Sequence, residues 1–134
     1  MYLLDTNVIS ELRKAKPHGA VLAWIKNIPE HLLYLSAFTL AEIQSGIERT
    51  REQDEDKAKE IELWLNKLEA TFKVLPMDAK CFRVWAKLMH RETDTGLEDA
   101  MIAATALANK LTVVTRNTKH FTRFDVPLLN PFSS

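Results

Sequence analysis

A chain of 134 residues with a single cysteine, Cys81, can form no intramolecular disulfide and no cysteine-rich zinc site, and it fits a reducing compartment. Cys81 falls within a helical pattern and reads as a small core residue. Net charge is also missing: 18 lysines and arginines balance 18 aspartates and glutamates. Nothing therefore pulls the whole chain toward nucleic acid, membrane or acidic partners, and any affinity for a polyanion must come from local patches. No apolar run approaches the ~20 residues that a membrane helix needs, and no basic segment followed by an apolar stretch opens the chain. The expectation is a soluble cytoplasmic protein with no membrane partner. Internal repeats, low-complexity tracts and flexible linkers are absent as well. The length suits one domain, residues 1–134, able to bury about two thirds of its unfolded surface.

What is present alternates. Tyr2-Leu3-Leu4 reads as a buried strand, and helical spacing begins at Asp5 through Val8, Ile9 and Leu12. Pro17 suits the first turn of a second helix carrying Val21, Leu22, Trp24, Ile25 and Ile28. Leu32 to Leu35 is the next apolar run, followed by a helix from Thr39 through Leu40, Ile43 and Ile47. The segment Arg49 to Glu62 mixes both charges and reads as the tip of a helical hairpin that regains its spacing at Ile61, Trp64, Leu65 and Leu68. Phe72 to Leu75 predicts a third strand, Asp78 the start of a helix with Trp85, and Thr93 to Leu97 a loop. An apolar helix then runs from Glu98-Asp99 to Ala108, Leu111 to Val114 is a fourth strand, and Val126 to Leu129 a last edge strand. Trp24, Trp64 and Trp85 are spaced as core or interface residues. The alternation predicts an α/β fold with a central parallel sheet and helices on both faces.

Three acids occupy comparable places in that plan: Asp5 after the first strand, Glu42 just inside the helix after the second, and Asp99 opening the helix before the fourth. Each has a local explanation. Asp5 can cap a helix, Thr39-x-x-Glu42 and Thr95-x-x-Glu98 match the capping box, and Asp99 complements a helix dipole. In a parallel sheet, however, these junctions open on one edge, so the carboxylates can converge and raise one another's pKa unless a cation intervenes. Hard oxygen ligands without cysteine or paired histidine suit Mg2+ or Mn2+. His18, His31, His90 and His120 have no ligand-like spacing. The chemistry implied is water attack on a phosphoryl centre. Arg116, Lys119, His120 and Arg123, with Thr115 and Asn117, form a patch that could hold a nucleic-acid backbone; a solvated turn explains it equally well.

Four stretches taken together resemble the PIN domain, specifically the VapC-type toxin ribonucleases. They are Leu3-Leu4-Asp5-Thr6-Asn7-Val8-Ile9-Ser10-Glu11-Leu12; Thr39-Leu40-Ala41-Glu42-Ile43 with Gly46; Asp99-Ala100-Met101-Ile102-Ala103-Ala104-Thr105-Ala106; and Val114-Thr115-Arg116-Asn117 through Phe121 to Leu129-Asn130-Pro131-Phe132. The resemblance implies a single three-layer α/β/α domain and Mg2+- or Mn2+-dependent cleavage of RNA, often transfer or ribosomal RNA. It implies Asp5, Glu42 and Asp99 as metal ligands and catalytic residues, Thr6 or Asn7 steadying Asp5, and Thr115 lining the pocket, beside which the basic patch places Arg116. It further implies a VapB-type antitoxin whose tail occupies the groove, contact with DNA only through that antitoxin, and a homodimer. The chain departs from the pattern where many members carry a fourth acid: it has Asn117, an amide that can orient a water but carries no charge. At the nearby position where aspartate often precedes phenylalanine it has His120.

Two other readings stand beside the nuclease. A phosphohydrolase of the haloacid-dehalogenase pattern would use Asp5 as nucleophile but needs a second carboxylate two residues on, and position 7 is Asn. A catalytically weak RNA-binding or partner-binding module would use the same acids only as caps.

Overall fold

The computed structural model describes residues 1–90 and 96–133, so the expected loop from Thr93 and the Thr95-x-x-Glu98 capping box lie outside the described residues. Leu3 and Leu4 explain the architecture. Successive side chains of a strand point to opposite faces, and in β1 (Tyr2–Leu4) Leu3 and Leu4 are both fully buried, each in a different core. On one face Leu4 packs with Val8 and Ile9 of α1 (Thr6–Leu12), Val21 of α2 (Gly19–Lys26), Leu33 and Leu35 of β2 (Leu33–Ser36), and Ile47 of α3 (Ala37–Arg51). Ala58, Leu65 and Leu68 of α4 (Glu55–Thr71) complete that side. On the other face Leu3 meets Ala100, Ile102, Ala103 and Ala106 of the alanine-rich α6 (Leu97–Asn109), with Trp85, Leu88 and Met89 of α5 (Ala79–Met89) beside it.

β3 (Lys73–Leu75), β4 (Thr112–Val114) and β5 (Leu128–Leu129) complete a five-stranded sheet in the order β3-β2-β1-β4-β5, every pair parallel. The layers are therefore helix, sheet, helix, as the alternation of the sequence predicts. β1 lies at the centre, and every strand ends on the same edge. Asp5 follows β1, Ser36 ends β2 and Thr115 follows β4, so that edge gathers polar side chains from distant parts of the chain.

Several boundaries differ from the sequence expectation for identifiable reasons. Pro17 precedes the cap of α2 instead of standing in its first turn, because His18 Nδ1 accepts the Ala20 N–H at 3.2 Å and fixes the start there. Ser36, not Thr39, caps α3: its hydroxyl accepts from Thr39 N at 3.0 Å. Thr39 is thereby inside the first turn with its side chain buried, and Glu42 lies in the second turn, so the Thr39-x-x-Glu42 capping box does not form. The charged run is mostly helical. Only residues 52–54 turn, and Arg51 ties the two helices by bridging Glu48, Glu55 and Glu62 at 3.0–3.1 Å. Among the described residues no helix is long and apolar enough to cross a membrane. Cys81 is buried, and the three tryptophans pack against the two cores.

Leu4→Ala empties a fully buried site on the central strand and is expected to cost about 2–5 kcal/mol in urea unfolding. Leu63→Ala on the solvent face of α4 is expected to stay within about 0.5 kcal/mol of the parent.

Candidate active site

At the end of β1 the buried carboxylate of Asp5 is held from three directions. Its Oδ1 accepts the Thr6 N–H at 2.8 Å; its Oδ2 accepts the Thr115 hydroxyl at 2.8 Å and Asn7 Nδ2 at 3.1 Å. Thr115, fully buried after β4, uses all its capacity: it donates to Asp5 and accepts from Asn7 Nδ2 at 3.2 Å and from the Asn117 N–H at 3.0 Å. Asn7 completes the frame by accepting the Arg116 N–H on Oδ1 at 3.1 Å, which fixes its amide orientation. Two strand ends are thus locked around one carboxylate.

The third junction joins through hydroxyls. Thr6 donates to Glu42 Oε1 at 2.7 Å, and its Oγ1 lies 3.1 Å from that of Thr39. A cleft of about 310 Å³ then opens between Asp5, Thr6, Asn7, Glu42, Glu98, Asp99, Ile102 and Asn117. Asp5, Glu42 and Asp99, separated by up to 94 positions in the sequence, share it. Thr115 lies beneath Asp5. Arg116 lies outside the cleft, with its guanidinium 4.5 Å from the Phe132 ring centre and its backbone N–H on Asn7. Asn117 reaches the rim.

Glu98 is the residue that the sequence did not single out. Its place in the first turn of α6 suggested a capping role, yet it lines the cleft with Glu42, whose carboxyl it holds up by like-charge repulsion. The signal was available in the doublet Glu98-Asp99: both acids stand in the first turn of α6, whose start opens on this edge of the sheet.

Electrostatics agree with the crowding. Burial pushes Asp5 above the ordinary aspartate range, and neighbouring Asp99 adds to it, against the three hydrogen bonds. Burial also raises Glu42, with Glu98 and Asp5 adding repulsion against the Thr6 bond. Asp99 is raised by burial, opposed by the neighbouring His120 and Arg123; His120 Nδ1 lies 3.8 Å from Asp99 Oδ2, too far for a hydrogen bond. No lysine or arginine lines the cleft among the described residues.

The donors are carboxylate, amide and hydroxyl oxygens, a set that suits a hard divalent cation better than zinc. Carboxylates raised by burial and repulsion are those that a cation would relieve. Among the described residues no three acidic, histidine or cysteine side chains are placed to hold a metal ion together, so the acids face one another across the cleft without converging on a point.

The PIN domain model matches residues 2–127. The chain belongs to the PIN domain family. Within the family it is similar to the "VapC ribonuclease Y4jK" of Sinorhizobium fredii, 39% identical across 98% of each chain, and to the "Toxin FitB" of Neisseria gonorrhoeae, 34% identical across 98% of this chain and 99% of that one. Among solved structures, FitAcB from Neisseria gonorrhoeae superposes with a TM-score of 0.88 at 33% identity over the full length of both chains. The FitAB complex bound to an IR36 DNA fragment gives 0.76 at 31%, covering 100% of this chain and 97% of that one. These matches place the chain among VapC-type toxins of toxin–antitoxin pairs, a family whose activity is that of a ribonuclease.

Two outcomes test this geometry. Thr115→Val keeps the shape but leaves the Asn117 N–H without its acceptor and Asp5 without its shortest side-chain donor, at an expected cost of about 1–3 kcal/mol in urea unfolding. The raised carboxylates set the second. Without a cation they contribute stability fully present below their unfolded values of 3.8 and 4.5 and lost as pH rises through the higher folded values. Mn2+ is therefore expected to raise the melting temperature by several degrees at pH 7.5 and by little at pH 4, in differential scanning fluorimetry.

Proposed function

We propose that this PIN domain is a toxin endoribonuclease that hydrolyses phosphodiester bonds of transfer or ribosomal RNA with the help of Mg2+ or Mn2+. The observation that carries the reading is the cleft where carboxylates from three junctions of one sheet edge meet without a lysine or arginine among them. Asp5, Asp99 and Glu42 would hold the ion, Glu42 directly or through water. When bound, the ion supplies Lewis-acid stabilisation of charge on the phosphoryl oxygens and acidifies water.

The remaining work falls to the chain. Thr115, Asn7 and Thr6 pin Asp5 so that its charge is fixed before substrate arrives, a preorganised arrangement that costs no rearrangement during the reaction. Thr6 fixes Glu42 by donating to its Oε1. Asn117, at the rim, orients water by hydrogen bonding and adds no negative charge to repel a phosphate. The phosphohydrolase pattern needs a second carboxylate two residues after Asp5, and Asn7 stands there with its amide donating to Asp5. This argues against that pattern.

The partners follow the same reading. Relatives in this family act as toxins, and FitAB is described in complex with DNA. For this chain we infer a VapB-type antitoxin that blocks the cleft, contact with DNA only through that antitoxin, and a homodimer. A second reading is favoured by the open spacing of the acids: a module that binds RNA or its partner and cleaves weakly.

Cleavage of RNA by the purified chain separates the two. Activity is expected with Mg2+ or Mn2+, to vanish with EDTA, and to fall at least about 100-fold in Asp5→Asn and Asp99→Asn while circular dichroism stays unchanged. RNA binding that ignores chelator, with no cleavage under any metal, supports the binding module. Asn117→Asp, which adds the fourth acid, is expected to lower several-fold the Mn2+ concentration that gives half of the thermal stabilisation.

A further inference from the structure

The acidic cleft continues past Glu42. A second cleft of about 360 Å³ adjoins it, lined by Phe38, Ala41, Glu42, Ser45, Arg49 and Glu98, and the two share Glu42 and Glu98. Phe38, Glu42, Ser45 and Arg49 follow one another at four, three and four residues, so they form a single stripe along α3. From Glu42 to Arg49 the helix carries this stripe about 10 Å beyond the acids. At the opposite end, a cleft of about 350 Å³ lined by Gly96, Asp99, Lys119, His120 and Arg123 shares Asp99 with the centre. The groove is thus acidic in the middle and cationic at both ends.

Arg49 differs from its neighbour on the same helix. Arg51 bridges three glutamates, whereas no carboxylate stands within ion-pair distance of Arg49 among the described residues. Arg49 is exposed and folds back along the helix to donate from Nη1 to Ser45 Oγ at 3.0 Å, a neutral partner that leaves its charge unneutralised. At the near end Phe38 is anchored by packing against the α5–α6 core and keeps part of its ring in the cleft, a rigid face of the kind on which nucleobases stack.

We infer that this stripe of α3 is a subsite for the single-stranded RNA that flanks the bond to be cut, with Arg49 on a backbone phosphate and Phe38 against a base. The inference rests on the ribonuclease reading for its ligand. Charge complementarity selects the occupant: a polyanion drawn to a cleft of four carboxylates needs cations on either side of it, and Arg49 supplies one on the side away from His120, Lys119 and Arg123.

Fluorescence anisotropy of a fluorescein-labelled, mixed-sequence single-stranded RNA, titrated with the full chain in EDTA, tests the subsite without cleavage. Arg49→Gln is expected to weaken binding on the order of fivefold and to lower the slope of log K against log salt by about 0.7. Arg49→Lys should recover most of both, and melting temperatures should coincide because the side chain is exposed. Equal affinity and equal slope in Arg49→Gln and the parent overturn the subsite and leave the stripe to a protein partner. Binding lost with Arg49 in a chain that never cleaves RNA overturns the nuclease and keeps the subsite. An unchanged KM for cleavage in Arg49→Gln overturns the subsite and keeps the nuclease.

Discussion

The site depends on one buried hydroxyl. Thr115 accepts from two amides and donates to Asp5, so the end of β4, the end of β1 and the first turn of α1 are held in one register. A carboxylate in that position is expensive to ionise, and three hydrogen bonds offset only part of the cost, since its pKa still lies above the ordinary value. A positive charge beside it would lower that residual cost. Asp99 and Glu42 stand in the same condition, each raised by burial and by like-charged neighbours. Folding thus places several strained charges side by side, and a cation is the simplest species to relieve them together.

The sheet makes that assembly possible. With every strand parallel and β1 central, the chain returns to the same edge after each crossover, and the acids need no loop of unusual length to meet. Leu3 and Leu4 commit opposite faces of β1 to two separate cores, which fixes the orientation of Asp5 as the next residue. In the α3–α4 hairpin Arg51 takes up Glu48, Glu55 and Glu62, while Arg49 bonds only Ser45 among the side chains described and lines the groove.

Much of this was legible in the sequence. Alternation of apolar runs with helical spacing gave the layers, and the matching positions of Asp5, Glu42 and Asp99 gave their place around one cleft, because a parallel sheet leaves such junctions no other edge. What the sequence hid was side-chain competition. The pair Thr39 and Glu42 fits a capping box on spacing alone, but Ser36, three residues earlier, takes the cap, and Thr39 and Glu42 turn instead to the Thr6 hydroxyl. Glu98 was hidden by its own plausible helix-start role. The Arg49 stripe was hidden inside a run of mixed charge, where only the structure separates an arginine bound to three glutamates from one bound to a serine.

The central claim is that the acids at this edge take up one divalent ion together. Crystals of the full chain soaked in Mn2+ and measured at the manganese absorption edge address it directly. The account predicts an anomalous peak within the cleft between Asp5, Glu42 and Asp99, absent from Asp5→Asn crystals prepared in the same way. Manganese found only elsewhere on the surface, or a cleft that stays empty at saturating Mn2+, would contradict it.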